Sequence, residues 1–224
     1  MPAPFDLFQW MPAEVRKAFA PHAQVRRYVA GQVIYCQDEC SDEVYRILSG
    51  TVRLSLLRAD GREFLQGIFG AGDFFGEGSL LDQLPRPNTA QAQHDIELEV
   101  YTSAAVATLR QTHREIDAAL VQILARRMRI LCQVCAMSNV DDLSQRVAMQ
   151  LLLGADLGGL SAESQAPRTL SLSHSDLALM LGAARQSVSK VLHDLERAGI
   201  VSLSYGGIHI RDQTKLKRFM SGLP

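Results

Sequence analysis

No stretch of this 224-residue sequence reaches the roughly 18 consecutive apolar residues that a membrane helix needs. Residues 1–30 also lack a basic start followed by an apolar run and a small-residue cleavage site. The expectation is a cytoplasmic protein without a membrane partner. Cysteine is sparse: Cys36 and Cys40 form one pair, Cys132 and Cys135 another, and these spacings alone are poor evidence for a metal or iron-sulfur site. With Cys36 assigned to a strand and Cys132 to a helix, each is expected as a small buried hydrophobe, and redox sensing by them stays an open alternative. His22, His94 and His113 could ligate haem by residue type only, so no metal is expected and no cofactor is identified. A basic surplus is missing too, since the net charge is −1. The charge is unevenly placed, however. Residues 1–111 carry 10 basic and 14 acidic side chains, residues 112–165 carry 5 and 6, and residues 166–224 carry 8 and 4. Only the C-terminal end suits phosphate contact.

What is present is a strong local signature at 170–190. Ser173 with Asp176 three residues on reads as a capping box opening a helix whose buried face is Leu177, Met180 and Leu181. Gly182 supplies a tight turn, and a second helix begins near Arg185. On a wheel, Val188, Val191, Leu192 and Leu195 share one arc, while Arg185, Gln186, Ser189, Lys190 and His193 share another. Arg, Lys and Gln suit base edges in a major groove, so this reads as a helix-turn-helix and its partner as double-stranded DNA. After the helix-capping Gly199, residues 200–210 read as two short strands turning at Gly206 and Gly207, a wing bracing the reading helix.

Upstream, residues 1–30 read as a short helical lead-in. From Gly31 to about Leu109 short strands follow, with period-two alternation over Val52–Leu56 and a hairpin signal at Asp60 and Gly61 before Phe64. Such spacing suggests a small barrel or jelly roll. From Thr112 to about Met137 a single helix without Gly or Pro carries Val121, Leu124, Met128, Leu131 and Cys135 in steps of three and four. That heptad seam predicts a parallel homodimer, the alternative being a helix packed on its own barrel. A further helix over 143–153 and a Gly/Ser/Ala loop over 154–167 lead to the DNA-binding motif. The fold class is therefore α+β. Residues 1–111 form an effector-sensing jelly roll, 112–138 a dimerisation helix, and 139–224 a winged helix-turn-helix domain.

These pieces together resemble the Crp/Fnr family of bacterial transcription regulators over nearly the whole chain. Gly-Asp-Phe-Phe-Gly-Glu at 72–77 is similar to the start of a cyclic-nucleotide phosphate cassette, Leu-Ala-Arg-Arg at 124–127 to the opening of the dimer helix, and Arg-Gln-Ser-Val-Ser-Lys at 185–190 to the recognition helix. The resemblance implies a dimeric regulator in which a small effector at the barrel and central helix reorients two DNA-binding domains, with Arg185, Gln186, Ser187, Ser189 and Lys190 facing an inverted repeat. It implies effector contacts at Gly76, Glu77, Arg86, Leu131 and Cys132. It also places residues 154–167 where activating members touch RNA polymerase.

Departures from the nucleotide-binding members fall on the effector residues. Pro87 stands where they carry a Ser, removing a hydroxyl and an N–H donor, and Leu131 and Cys132 stand where they carry two hydroxyls for adenine. Glu77 is then expected as a structural carboxylate capping nearby amides, and the effector as something other than cyclic AMP. The family's oxygen sensors carry cluster ligands in an N-terminal Cys-rich segment, and residues 1–35 hold no Cys. The competing class is a cupin-like enzyme or a nucleotide-binding regulatory subunit. A cupin needs clustered His and carboxylate ligands where this barrel offers His94, so no catalytic residue is assigned, and a regulatory subunit would not carry a winged helix.

Overall fold

Period-two burial makes sheets of the first half of the chain. In the computed structural model, which describes residues 3–157, 168–204 and 206–220, a 3-10 turn (Leu7–Trp10) and α1 (Ala13–Phe19) precede β1 (Gln24–Tyr28), β2 (Val33–Tyr35) and β3 (Glu43–Ser49). Next come β4 (Val52–Leu57), β5 (Glu63–Phe69), β6 (Phe74–Phe75), the short α2 (Glu77–Asp82), β7 (Thr89–Ala92) and β8 (Ile96–Thr102). They build two four-stranded antiparallel sheets, ordered β1-β8-β3-β6 and β2-β7-β4-β5, the jelly roll expected. In β8, Ile96, Leu98 and Val100 are buried while Glu97 and Glu99 between them are part-exposed. The β4–β5 hairpin turns at Asp60 and Gly61, where Gly61 takes φ 79° and the Asp60 carboxylate accepts from the Arg62 N–H at 3.1 Å.

Two readings of this half need correction. Residues 24–28 are not lead-in helix but β1, which pairs along the whole of its length with β8. Its burial is mostly exposed, so the sequence shows no alternation to find. The barrel ends earlier than Leu109, because the Thr102 hydroxyl accepts from the Ala105 N–H and caps α3 (Ser103–Thr112). The long helix is then a separate α4 (Arg114–Ser138), broken from α3 at the extended His113. On α4, Ile116, Ala119, Leu120 and Ile123 are buried in one core with Phe19, Phe74 and Tyr101. Val121, Leu124, Met128 and Leu131 are 62%, 39%, 60% and 55% exposed. The first half of α4 thus packs on its barrel with one face and leaves the seam residues outward.

Nor are the cysteines buried. All four are exposed: Cys36 lies just past the end of β2, in a turn where its carbonyl accepts from the Glu39 N–H, and Cys132 and Cys135 lie on outward faces of α4.

Two compact units divide the chain, Phe5–Arg127 and the residues from Met128 on together with the first four. In the second, α5 (Leu143–Leu157) runs longer than the sequence suggests. It is followed by β9 (Arg168–Leu170), α6 (His174–Leu181), α7 (Arg185–Arg197), β10 (Val201–Ser204), β11 (Gly207–Ile210) and α8 (Gln213–Met220). Most of the expected 154–167 loop, and Tyr205 of the wing, lie outside the described residues. The wing has three strands, not two, because β9 pairs with β11 across from β10. Ile200, Val201, Ile208 and Ile210 of the wing are buried, with β10 against α7, and Leu216 is buried on α8, which packs on α5.

Candidate functional site

The capping box at α6 is present in full. The Ser173 hydroxyl accepts from the Asp176 N–H at 3.1 Å and the Asp176 carboxylate accepts from the Ser173 N–H at 3.1 Å. Gly182 ends the helix at φ 59°, and Arg146 of α5 donates to the Leu181 carbonyl, pinning the turn. The buried face of α6 is Leu177, Ala178 and Leu181, whereas Met180 is half-buried and accepts from the Gln150 amide at 3.5 Å.

On α7 the two arcs separate as expected. Val188, Val191, Leu192 and Leu195 are buried; Arg185, Gln186, Ser187, Lys190 and His193 are exposed. Ser189 is half-buried, and its hydroxyl shares a 2.8 Å hydrogen bond with His174 Nδ1 of α6, a partner that sequence spacing does not reveal. The helix closes with Gly199 at φ 69°, the Gly199 N–H donating to the Glu196 carbonyl and the Ile200 N–H to that of Leu195. Glu196 also accepts from the Leu203 N–H at 2.9 Å, which holds β10 against the reading helix. The basic surplus is not confined to the motif. Lys215, Lys217 and Arg218 lie on α8 and Arg211 just before it, so the same unit carries basic side chains beyond α7.

In the barrel, three of the five expected effector residues meet, and a fourth residue joins them. Gly76 takes φ 86°, and a Cβ there would lie 2.7 Å from Arg86 Nη1, so the approach needs glycine. Arg86 is 1% exposed: it donates to the Gly76 carbonyl at 2.8 Å, to Ser41 Oγ at 2.8 Å and to the Glu43 carbonyl, with its guanidinium 4.4 Å from the Tyr35 ring centre. Glu77 is 2% exposed, and instead of capping amides its Oε1 pairs with Arg127 at 2.9 Å. Arg127 also donates to the Phe74 carbonyl at 2.9 Å and lies over the rings of Phe5 and Phe69. Among the described residues Glu77 Oε2, Ser79 Oγ, Arg86 Nε and Arg127 Nε are buried without a hydrogen-bond partner, as are Arg46 Nε and Arg53 Nε elsewhere in the barrel, and unmet polar atoms at Glu77 and Ser79 suit a polar ligand. Nearby, burial pushes the Asp73 carboxyl up to about 6, against the opposing hydrogen bonds it accepts from the Gly70 and Phe5 N–H groups. Leu131 and Cys132 are exposed on α4, in the other unit from Gly76, Glu77 and Arg86. Among the described residues no group of three or more His, Cys, Asp or Glu side chains could hold a metal ion, and no helix is long and apolar enough to cross a membrane.

The chain is similar to known proteins. Residues 25–113 match the family described as the cyclic nucleotide-binding domain, and residues 145–219 the Crp-like helix-turn-helix domain. The chain is 30% identical over 212 residues, 95% of both chains, to a CRP-like cAMP-activated global transcriptional regulator of Mycobacterium tuberculosis. It is 32% identical to the cyclic AMP receptor protein of Thermus thermophilus, over 95% of this chain and 94% of that one. In fold it is similar to FixK2 from Bradyrhizobium japonicum, with a TM-score of 0.74 at 24% identity over 88% of this chain and 96% of that one.

Proposed function

Since the chain belongs to the Crp/Fnr family of transcription regulators and carries that family's DNA-binding helix-turn-helix, we propose that it works as a homodimer on an inverted repeat, under control of a small effector other than cyclic AMP. The division of labour proposed is sensing by residues 1–111, dimerisation by 112–138 and DNA binding by 139–224, in the cytoplasm, with RNA polymerase as a further partner and no catalytic role for the barrel. The observation that carries the DNA reading is the exposed set Arg185, Gln186, Ser187 and Lys190 on α7, opposite four buried aliphatic residues, with Ser189 beside it. Sequence-specific retardation of some genomic fragments over others, with or without cell extract, is the expected result. Uniform retardation, or none, would favour a nucleotide-binding regulatory subunit.

The effector reading rests on Arg86 and Pro87. Both terminal guanidinium nitrogens of Arg86 are already engaged by protein oxygens, and Pro87 offers no N–H where a phosphate oxygen would need one. Leu131 and Cys132 give no hydroxyl to an adenine. Glu77 Oε2 and Ser79 Oγ, buried without a hydrogen-bond partner, support a ligand with polar groups in this barrel. In calorimetry cyclic AMP should therefore bind weakly or not at all. A low-micromolar dissociation constant, about −8 kcal/mol, together with cyclic-AMP-dependent DNA binding would contradict this.

Dimerisation is proposed through Val121, Leu124, Met128, Leu131 and Cys135, which are exposed and recur at three and four along α4. Parallel pairing about a two-fold axis would bring each Cys135 beside its symmetry mate. A protein retaining Cys135 as its only cysteine should cross-link to a dimer under mild oxidant on non-reducing gels. If it stays monomeric, the register is wrong.

A further inference from the structure

Ser189 differs from the rest of the reading face in that another helix controls its hydroxyl. His174 is the first residue of α6 after the Ser173 cap, and its Nδ1 lies 2.8 Å from Ser189 Oγ. A serine hydroxyl has one hydrogen to give and two lone pairs to offer, so the role it takes toward His174 fixes what is left for a base. A neutral ring with its proton on Nε2 accepts the Ser189 O–H and leaves only lone pairs facing out. A charged ring donates from Nδ1 and leaves the O–H free. The bases distinguish these two states. Lone pairs suit the amino groups of adenine or cytosine, while an O–H suits guanine O6 and N7 or thymine O4.

We propose that His174 is a positioning residue for base readout: by accepting the Ser189 O–H when neutral and donating to it when charged, it sets whether Ser189 seeks a donor or an acceptor in the groove. This rests on the reading of α7 as the DNA-reading helix. The groups that act on the ring lie on α7, and the charged groups of α6 and α5 are engaged elsewhere. On α7, His193 lies with its ring centre 6.0 Å away, and Arg185 and Glu196 act on the ring through their charge. On α6 itself Asp176 is held in the capping box, and from α5 Arg146 reaches the far end of the helix at the Leu181 carbonyl. Burial, then the His193 and Arg185 charges, lower the His174 pKa from its ordinary value of 6.5, with Glu196 opposing. The sign follows: the ring is mostly neutral at and above pH 7, where its Nε2–H tautomer leaves Ser189 an acceptor, and gains charge only as the pH falls below 6.5, where Ser189 becomes a donor.

The test is selection of bound duplexes from a random pool, at pH 8 and at a lower pH where NMR shows the His174 ring charged, with wild type, Ser189→Ala, His174→Phe and His193→Gln. Wild type should change its preference at one base pair per half-site between the two pH values by about fivefold, the worth of one hydrogen bond. Ser189→Ala should relax that base pair at both pH values. His174→Phe, which keeps a ring but no nitrogen, should hold one preference at both, and His193→Gln should keep the pH-dependent change. A rise in affinity at low pH that is equal for all sequences would mean an imidazolium on phosphate and would overturn the proposal. So would an unchanged wild-type preference alongside a relaxed Ser189→Ala, although the reading of α7 would stand. Were Ser189→Ala, Arg185→Ala and Gln186→Glu all to leave the selected sequence intact, it is the reading of α7 itself that would fail.

Discussion

Replacing Arg127 by Ala should destabilise the N-terminal unit by about 3–5 kcal/mol, because it strands the Glu77 carboxylate in a site where that side chain is almost fully buried. The pair is not a surface ion pair of the kind that contributes little. Arg127 also supplies a hydrogen bond to the Phe74 carbonyl and covers the Phe5 and Phe69 rings, so the loss is of charge balance and packing together. Denaturant unfolding of Arg127→Ala, Glu77→Gln and the double variant separates the two. The double variant should be more stable than Arg127→Ala alone, since neutralising Glu77 removes the unpaired charge and leaves an amide whose burial costs about 1–3 kcal/mol. Equal loss in Arg127→Ala and the double variant would mean that the charge pair contributes nothing and that the ring packing accounts for the effect.

Glu77 and Arg127 also mark where reading of the sequence stopped. The Gly-Asp-Phe-Phe-Gly-Glu segment at 72–77 pointed to Gly76 and Glu77, and Arg86 followed from the resemblance, but nothing local joins residue 77 to residue 127 across fifty positions. Arg127 stood in the quoted Leu-Ala-Arg-Arg segment as a mark of the dimer helix; an arginine there, on the same helix as the buried Ile116, Leu120 and Ile123, was the available hint that one face turns inward. The same limit hid β1, whose Val25 and Val29 neighbourhood is exposed and carries no alternation, and β9, three residues long. For α3 the signal existed, since Thr102 precedes a run in which Val106 and Leu109 are three apart, but the run reads as well as a strand. By contrast the α6–α7 motif was legible almost to the residue. A capping box, a left-handed glycine and a 3.6-residue period are all short-range, and the tertiary fold agrees with each of them. What escaped was again the cross-helix contact, His174 with Ser189.

The second large effect is expected on DNA. Arg185→Ala should weaken the specific site by about 1–3 kcal/mol per half-site and relax one base pair in each, because Arg185 stands exposed at the start of α7 and an arginine there pairs best with guanine O6 and N7. Replacing Lys215, Lys217 or Arg218 of α8 by Ala should instead weaken all sequences alike, as expected of charges that meet phosphates and carry no base information. Lys190, a flexible point charge, should read its base pair less strictly than an arginine would. Titrations of specific and scrambled duplexes at one fixed salt concentration distinguish the two classes. A uniform loss for Arg185→Ala would move that residue to the phosphate backbone.

Gln186 gives the most direct test of the account, because the chemistry at that position predicts a change in sequence and not merely in affinity. A glutamine offers a donor and an acceptor to adenine N6 and N7, whereas a glutamate can only accept, as from the amino group of cytosine in a TGTGA-type half-site. The measurement is selection of bound duplexes from a random pool by the wild-type protein and by Gln186→Glu. Wild type should return an inverted repeat with half-site centres about 34 Å apart and A·T favoured, or preference relaxed, under Gln186, and the variant should restore G·C there while leaving the Arg185 position unchanged. If both proteins return the same half-site, Gln186 does not read a base and the assignment of the α7 face is wrong.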